Sequence, residues 1–185
     1  MEQKWIRIIF IPHGEKAKGD ATMDGQVRMN PPMTMPGMQA IYNQVLPLVH
    51  NLGPYASMWC SRLGRALCTA SILAVELDMD FATMDELGQY ANSDSVGDVY
   101  GRGHEGENEL SWQHQALTAL DKIYLQAQHG DTVLVVSHRP ILAGLVAAAR
   151  GIYDLDSVHA ILYDKGLTED GTVVFKYDGK TLTKF

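Results

Sequence analysis

The hydrophobic and polar positions of the chain alternate between short continuous apolar runs and longer repeats of helical period. The runs predict β-strands and the repeats predict helices. Strands are predicted at 5–11, 55–60, 80–84, 131–137, 157–163 and 171–177, and helices at 37–52, 62–77, 109–128 and 140–150. This order predicts an α/β fold, a three-layer sandwich whose mostly parallel central sheet is flanked by helices. No repeat or linker interrupts the pattern, so residues 1–185 are expected to form one domain.

Local signals set several boundaries of these elements. Pro47 lies inside the predicted helix 37–52 and is expected to kink or divide it, because proline has no backbone N–H to donate. Pro140 suits the first turn of the helix that follows strand 131–137. Asp178-Gly179 predicts a hairpin turn close to the last residues. Residues 12–36 and 86–108 are rich in turn-forming or polar residues and are predicted to be loops.

Composition narrows the class of protein. The hydrophobic content is 46% and the charged content is 20%, which is ordinary for a globular chain. The net charge of −7 argues against a general nucleic-acid binder, although an anionic small substrate stays possible because a pocket can be locally positive. Two cysteines provide no disulfide framework. No run reaches membrane-spanning length and no leader is recognisable, so we expect a cytoplasmic protein; the oligomeric state stays open.

Polar residues follow the predicted strands at the positions where ligands bind in open α/β sheets. The first strand ends at His13, and the strand 131–137 ends at His138 and Arg139. The remaining strand ends carry Ser61, Arg62, Arg65, Asp85 and Glu86. Two histidines, two or three arginines and a carboxylate are therefore expected to converge at one edge of the sheet.

Such a set of groups favours phosphoryl transfer through a phosphohistidine. A neutral imidazole is a nucleophile near neutral pH. Arginine offers a planar pair of N–H donors to phosphate oxygens, and helix N-termini add further donors. A carboxylic acid can protonate the leaving oxygen.

Five short motifs occur in an order that resembles the histidine phosphatase superfamily, which includes the cofactor-dependent phosphoglycerate mutases. They are Pro-His-Gly-Glu at 12–15, NPPMTMPGMQA at 30–40, CSRLGRALCTASIL at 60–73, MDELGQY at 84–90 and VLVVSHRP at 133–140. The resemblance implies a phosphoglycerate mutase-like fold and a phosphomonoester substrate, with no cofactor. It also implies that His13 is the nucleophile, that Arg65 and His138 bind phosphate, and that Glu86 is the proton donor. Asp85, Glu105 and Glu107 are alternatives to Glu86.

The chain departs from the family at position 12, where the hallmark triplet is Arg-His-Gly and this sequence has proline. Proline cannot bind phosphate, and the loss of a charged hydrogen-bond donor costs about 1.5–3 kcal/mol. Arg62, Arg139, Lys16 and Lys18 are candidates to replace the missing cation. Two functions follow: a phosphomonoester hydrolase whose activity the proline reduces, or a non-catalytic phosphate-ligand binding or interaction protein. Mutase activity is less favoured, because the mutase pattern has arginine after the acid and this chain has Leu87.

Three other motifs fail their context tests. The stretch GRGHEG at 101–106 follows a polar segment and not an apolar strand, which argues against a dinucleotide site. Cys60 and Arg65 are separated by four residues, whereas a cysteine-phosphatase signature needs five. His104, Glu105 and Glu107 lack the HExxH spacing, so no metal is expected.

Overall fold

The computed structural model describes residues 3–17, 31–88, 109–162 and 171–184. The strands are β1 (Ile6–Pro12), β2 (Ser57–Ser61), β3 (Ala82–Met84), β4 (Thr132–Ser137), β5 (Val173–Tyr177) and β6 (Leu182–Lys184). The helices are α1 (Met35–Ala40), α2 (Leu46–Leu52), α3 (Gly64–Leu77), α4 (Glu109–Gln126), α5 (Arg139–Ala149) and α6 (Leu155–Leu162). A π-helical turn, Ile41–Val45, joins α1 to α2, and a 3₁₀ turn, Asp85–Leu87, follows β3.

The six strands form one sheet in the order β3-β2-β4-β1-β5-β6. The pairs β2–β3, β2–β4 and β1–β4 are parallel, whereas β5 is antiparallel to β1 and β6 is antiparallel to β5. The predicted α/β class and mostly parallel sheet are therefore confirmed. The carboxyl ends of β1, β2, β3 and β4 all meet at one edge, which is where the candidate site residues lie.

Alternate residues of the central strands pack against helices on opposite faces of the sheet. On β1, Ile8 and Phe10 face a core that contains α4, α5 and α6, while Ile9 and Ile11 face a second core that contains α2 and α3. Residues 133–136 of β4 alternate in the same way and are fully buried or nearly so. A strand buried on both faces reads as a continuous apolar run, which is why β1 and β4 are recognisable from sequence.

The strand predicted at 157–163 is wrong, because residues 155–162 form helix α6. Val158 and Ile161 are buried three residues apart, which is helical spacing, but a short apolar run does not distinguish a helix from a strand. The missed signal is Asp154, whose Oδ1 accepts a hydrogen bond from the Ser157 N–H at 2.9 Å. This contact caps the first turn of the helix.

The helix predicted at 37–52 runs from Met35 to Leu52, and Pro47 does not divide it. The π-helical turn ends at Val45, two residues before the proline, and the Leu46 N–H donates to the Ile41 carbonyl five residues earlier. Proline removes the hydrogen bond to the carbonyl four residues before it and its ring crowds that carbonyl. The wider turn at 41–45 accommodates both effects within a continuous helix.

Among the helices of the described ranges, not one is long and apolar enough to cross a bilayer.

Candidate functional site

The two predicted histidines lie side by side because β1 and β4 are neighbouring parallel strands. Their ring centroids are 4.9 Å apart with an interplanar angle of 61°. The His13 N–H donates to the Ser137 carbonyl at 2.9 Å, which extends the ladder between β1 and β4 to the residue that precedes His138. The register of the two strands therefore fixes the separation of the rings.

Hydrogen bonds fix the His13 ring in one tautomer. Its Nδ1 lies 2.6 Å from the Gly14 carbonyl oxygen, which can only accept, so Nδ1 carries the proton. The opposite nitrogen, Nε2, accepts from Arg65 Nε at 2.9 Å. Burial lowers the pKa of His13 to about 4; the Gly14 contact opposes this shift and the positive charge of Arg65 adds to it. The ring is therefore neutral at physiological pH.

Arg65 reaches His13 from the first turn of α3 and has a relative exposure of only 1%. Thr69, one turn further along α3, donates its hydroxyl to the Arg65 carbonyl at 2.9 Å and accepts from the Gly14 N–H at 3.1 Å. Thr69 therefore links the arginine-bearing helix to the turn after His13. A Cβ atom on Gly14 would lie 2.5 Å from Met33 Sδ, which can shift, and 3.0 Å from the Gly37 carbonyl oxygen, which belongs to the backbone, so glycine allows the turn and α1 to approach closely.

His138 is completely buried, and its Nε2 is hydrogen bonded to Ser61 Oγ at 2.8 Å. The same hydroxyl accepts from the Leu63 N–H at 3.2 Å. Within the described residues, His138 Nδ1 has no hydrogen-bond partner. Burial, with the nearby charge of Arg65, holds the pKa of His138 well below its usual value. Sequence reasoning named Ser61 as a strand-end residue but did not foresee that it orients His138.

Glu86 lies in the 3₁₀ turn, which is attached to β4 by a hydrogen bond of 2.6 Å from the Ser137 hydroxyl to the Leu87 carbonyl. The Glu86 carboxylate itself is paired with Lys122 of α4, with 2.5 Å between Oε1 and Nζ. Hydrogen bonding from Lys122 lowers the pKa of Glu86. This shift favours the ionised carboxylate, whereas a proton donor must hold its proton.

Arg62 points towards the 3₁₀ turn and not towards His13. Its Nη1 lies 3.1 Å from Asp85 Oδ1, and both side chains are more than half exposed. Arg62 is absent from the lining of the pocket that contains His13.

A pocket of about 490 Å³ opens beside His13. Lys16 and Arg139, the latter at the first position of α5, line it, and their positive charges contribute to the low pKa of His13. Burial, reinforced by the charge of Arg65, lowers the pKa of Lys16. Three cations thus surround a neutral imidazole, an arrangement that attracts an anion.

Pro12 also lines this pocket, and the register of the sheet explains why a central strand tolerates it. The His13 N–H faces β4, so by the alternation of a strand the nitrogen of residue 12 faces β5. Pairing between β1 and β5 ends at Phe10 and Val173, and continuation of that register would place Gly171 opposite Pro12. No ladder hydrogen bond is therefore lost. Gly171 has a φ of +64°, and a Cβ there would lie 2.7 Å from Pro12 Cγ, so the two residues are closely packed.

Among the described residues, no group of three or more His, Cys, Asp or Glu side chains is arranged to hold a metal ion. Several residues named from the sequence lie outside the described residues. They are Lys18, the GRGHEG stretch, the alternative proton donors Glu105 and Glu107, and the metal-site candidate His104.

Comparison with known proteins supports the fold. No protein-family model and no curated protein sequence matches the chain. Among solved structures, the phosphoserine phosphatase of Entamoeba histolytica in complex with 3-phosphoglyceric acid is 20% identical, with 97% of this chain and 94% of that chain covered and a TM-score of 0.68. Bacillus stearothermophilus YhfR is 21% identical, with 97% and 95% covered and a TM-score of 0.68. A putative alpha-ribazole-5′-P phosphatase from Escherichia coli is 20% identical, with 97% and 95% covered and a TM-score of 0.65.

Identities at this level show the fold. The chain has the phosphoglycerate mutase-like fold that the five motifs imply.

Proposed function

We propose that the protein hydrolyses phosphomonoesters through a phosphohistidine intermediate on His13. The observation that carries this proposal is the hydrogen bonding of the His13 ring. Nδ1 donates to Gly14, so Nε2 holds the lone pair of a nucleophile, and this lone pair accepts a hydrogen bond from the buried guanidinium of Arg65 at 2.9 Å. An arginine at that distance is suited to bind the oxygens of the phosphoryl group that Nε2 would attack.

The reaction has two steps. In the first, the Arg65 N–H transfers its hydrogen bond from Nε2 to a phosphate oxygen, Nε2 attacks phosphorus, and the bond from phosphorus to the alcohol oxygen breaks. The alcohol oxygen leaves with the electron pair and takes a proton from the donor acid. In the second step water attacks phosphorus, the N–P bond breaks, and the carboxylate takes the proton of the water. Inorganic phosphate leaves and the neutral ring is restored.

His138 is proposed to bind the same phosphoryl group. Its ring centre is 4.9 Å from that of His13, and its buried Nδ1 has no partner in the described part of the chain. A buried polar atom without a partner is unfavourable, and a phosphate oxygen would provide one.

Glu86 is proposed as the donor, with a consequence for the pH range of activity. Its pairing with Lys122 lowers its pKa, so the protonated form is populated only at acidic pH. His13 stays neutral above a pH of about 4. Activity is therefore expected to be highest near pH 4, where a neutral His13 still coexists with a protonated donor, and to fall as the pH rises towards neutral.

Lys16 and Arg139 are proposed to supply the charge that Pro12 does not. Both line the pocket next to His13, and both act electrostatically on its ring. The prediction that Arg62 binds phosphate stays a prediction, since Arg62 would have to leave Asp85 to do so.

A second candidate function is the binding of a phosphorylated small molecule without turnover. Two features favour binding without turnover. Pro12 takes the place of a phosphate-binding arginine, and the ion pair with Lys122 keeps Glu86 ionised when the reaction needs it protonated. Turnover and binding measured separately on a panel of phosphorylated metabolites distinguish the two functions.

The test of the hydrolase is to trap the intermediate. Protein denatured during turnover of a labelled phosphomonoester is expected to carry phosphate that is labile to acid and stable to base. His13→Ala should abolish the label, whereas the matched control His50→Ala, at an exposed histidine of α2, should retain it. Acid-stable label, or label on the His13→Ala variant, would contradict the mechanism. Binding without any label would support the second function.

A further inference from the structure

The pocket beside His13 is larger than the group that reacts there. At about 30 Å³ per water molecule, its volume of about 490 Å³ holds roughly 16 waters. Counted as one water volume per heavy atom, the four atoms of a phosphoryl group fill at most roughly a quarter of such a space. The remainder is available to the alcohol part of a substrate.

The charged and titratable groups of the pocket come from the turn after β1 and the start of α5. His13, Glu15 and Lys16 lie on the turn, and Arg139 begins the helix. Another part of the lining comes from the end of α1 and the π-helical turn. Its members, here called the helix wall, are Ala40, Ile41, Gln44 and Val45.

The helix wall is apolar apart from one amide. Ala40, Ile41 and Val45 offer only hydrocarbon, and Gln44 is the single hydrogen-bonding side chain among them. Pro12, Pro140 and Gly171 add further surface without polar side-chain groups. A hydroxyl that loses water against such a surface without gaining a partner is disfavoured, whereas hydrocarbon is favoured.

We infer that this pocket selects phosphomonoesters whose alcohol part is mainly apolar, an alkyl or aryl group with at most one hydrogen-bonding substituent. The phosphoryl group lies beside His13, Lys16 and Arg139, and the alcohol part lies against the helix wall. Gln44 is the specificity-determining residue, because it is the one member of the wall that can pair with a polar substituent. Sugar phosphates, which carry a hydroxyl on almost every carbon, are poor ligands of this wall. The inference rests on the proposed function and adds the substrate class.

The first test compares hexyl phosphate with glucose 6-phosphate. Both are monoesters of six-carbon primary alcohols, so their leaving groups are chemically similar. Hexyl phosphate is expected to have a kcat/KM at least tenfold higher. Equal values, or a preference for glucose 6-phosphate, would overturn the inference while leaving hydrolysis itself supported.

The second test changes Gln44. Gln44→Leu extends the apolar surface and should raise the ratio of kcat/KM for hexyl phosphate over glucose 6-phosphate by about threefold or more. Asn43→Leu is the matched control, since Asn43 is an exposed neighbour that does not line the pocket, and its ratio should stay that of the unaltered protein. An equal rise of the ratio in both variants would indicate non-specific hydrophobic binding of hexyl phosphate and would contradict the role of Gln44.

The third test measures binding without turnover. Hexylphosphonate, whose carbon–phosphorus bond resists hydrolysis, should bind at least tenfold more tightly than methylphosphonate by calorimetry. This result without hydrolysis of either ester would retain the helix wall and refute the proposed enzyme. Equal affinities for the two phosphonates, or no binding of either, would refute the inference that the helix wall binds the apolar part of a ligand.

Discussion

Replacement of Pro12 by arginine is expected to raise phosphatase activity. The side chain at this position lines the pocket that contains His13 and Arg139, so a guanidinium there can reach a phosphoryl group on His13. The main chain should tolerate the change, because the nitrogen of residue 12 lies beyond the last paired residues of β1 and β5. The strand end therefore keeps its course in the variant.

The size of the gain follows from one additional charge-assisted hydrogen bond. Such a bond is worth about 1.5–3 kcal/mol, and 1.36 kcal/mol corresponds to tenfold in rate. We therefore expect kcat/KM to rise by about 10-fold to about 100-fold. The gain falls towards the lower figure if Lys16 and Arg139 already hold part of the phosphate charge.

The same replacement is expected to lower stability slightly. Loss of proline restores conformational freedom to the unfolded chain, which costs about 0.4–1 kcal/mol of folding free energy. The packing of Pro12 against Gly171 is also lost. A thermal melt recorded beside the kinetics separates a folded variant from a damaged one.

The assay is kcat/KM on several phosphomonoesters, with Pro12→Met as the control for removal of proline without addition of charge. Arginine should exceed methionine by the full expected factor, and the inhibition constant of inorganic phosphate should fall with it. A folded Pro12→Arg variant that matches Pro12→Met would refute the reasoning. It would indicate that the existing cations already occupy the place of the missing arginine, or that the pocket does not transfer phosphoryl groups.

Two further predictions concern ionisation. Lys122→Ala should raise the pKa of Glu86, because its hydrogen bond to the carboxylate is the largest cause of the lowered value, and the alkaline limb of kcat/KM should then move to higher pH. Lys180→Ala removes an equal charge from the hairpin and should leave the limb in place; an unmoved limb in Lys122→Ala would exclude Glu86 as the donor. His13, with its pKa lowered from 6.5 to about 4, should make folding less favourable as the pH falls, since the unfolded chain takes up the proton first. Between pH 7 and pH 5 the free energy of unfolding should drop by about 2 kcal/mol more than in His13→Asn, measured by denaturant titration, and parallel curves would contradict the lowered pKa.

The sequence predicts which side chains lie close together where their positions depend on strand ends. Runs buried on both faces identify β1 and β4, and parallel neighbours must bring His13 and His138 to the same edge. The contact of Arg65 with His13 spans 52 positions and is anticipated only through the family motif. For the two histidines, a local pattern, the buried strand before each of them, determines the position of the side chain.

Sequence patterns do not predict the hydrogen-bond partner of a site residue when that partner lies far along the chain. Nothing around Glu86 announces that Lys122, 36 positions later, will pair with it. Ser61 and His138 are likewise 77 positions apart. The wrong strand at 157–163 has a different cause, because an apolar run of that length fits both periods and only the cap at Asp154 distinguishes them.

The end of β1 needs no backbone N–H from residue 12, so other residues can take the place of proline there. This has a genetic consequence. Proline is encoded by CCN and arginine by CGN or AGR, so the CCN and CGN codons differ only in the middle base. A CCN codon at position 12 is therefore one transversion away from the Arg-His-Gly triplet typical of histidine phosphatases. Random mutagenesis at low error rate, followed by selection for growth on a phosphomonoester as the phosphate source, would sample that codon directly. Recovery of arginine at position 12 from such a library would identify the position as a reversible control of activity.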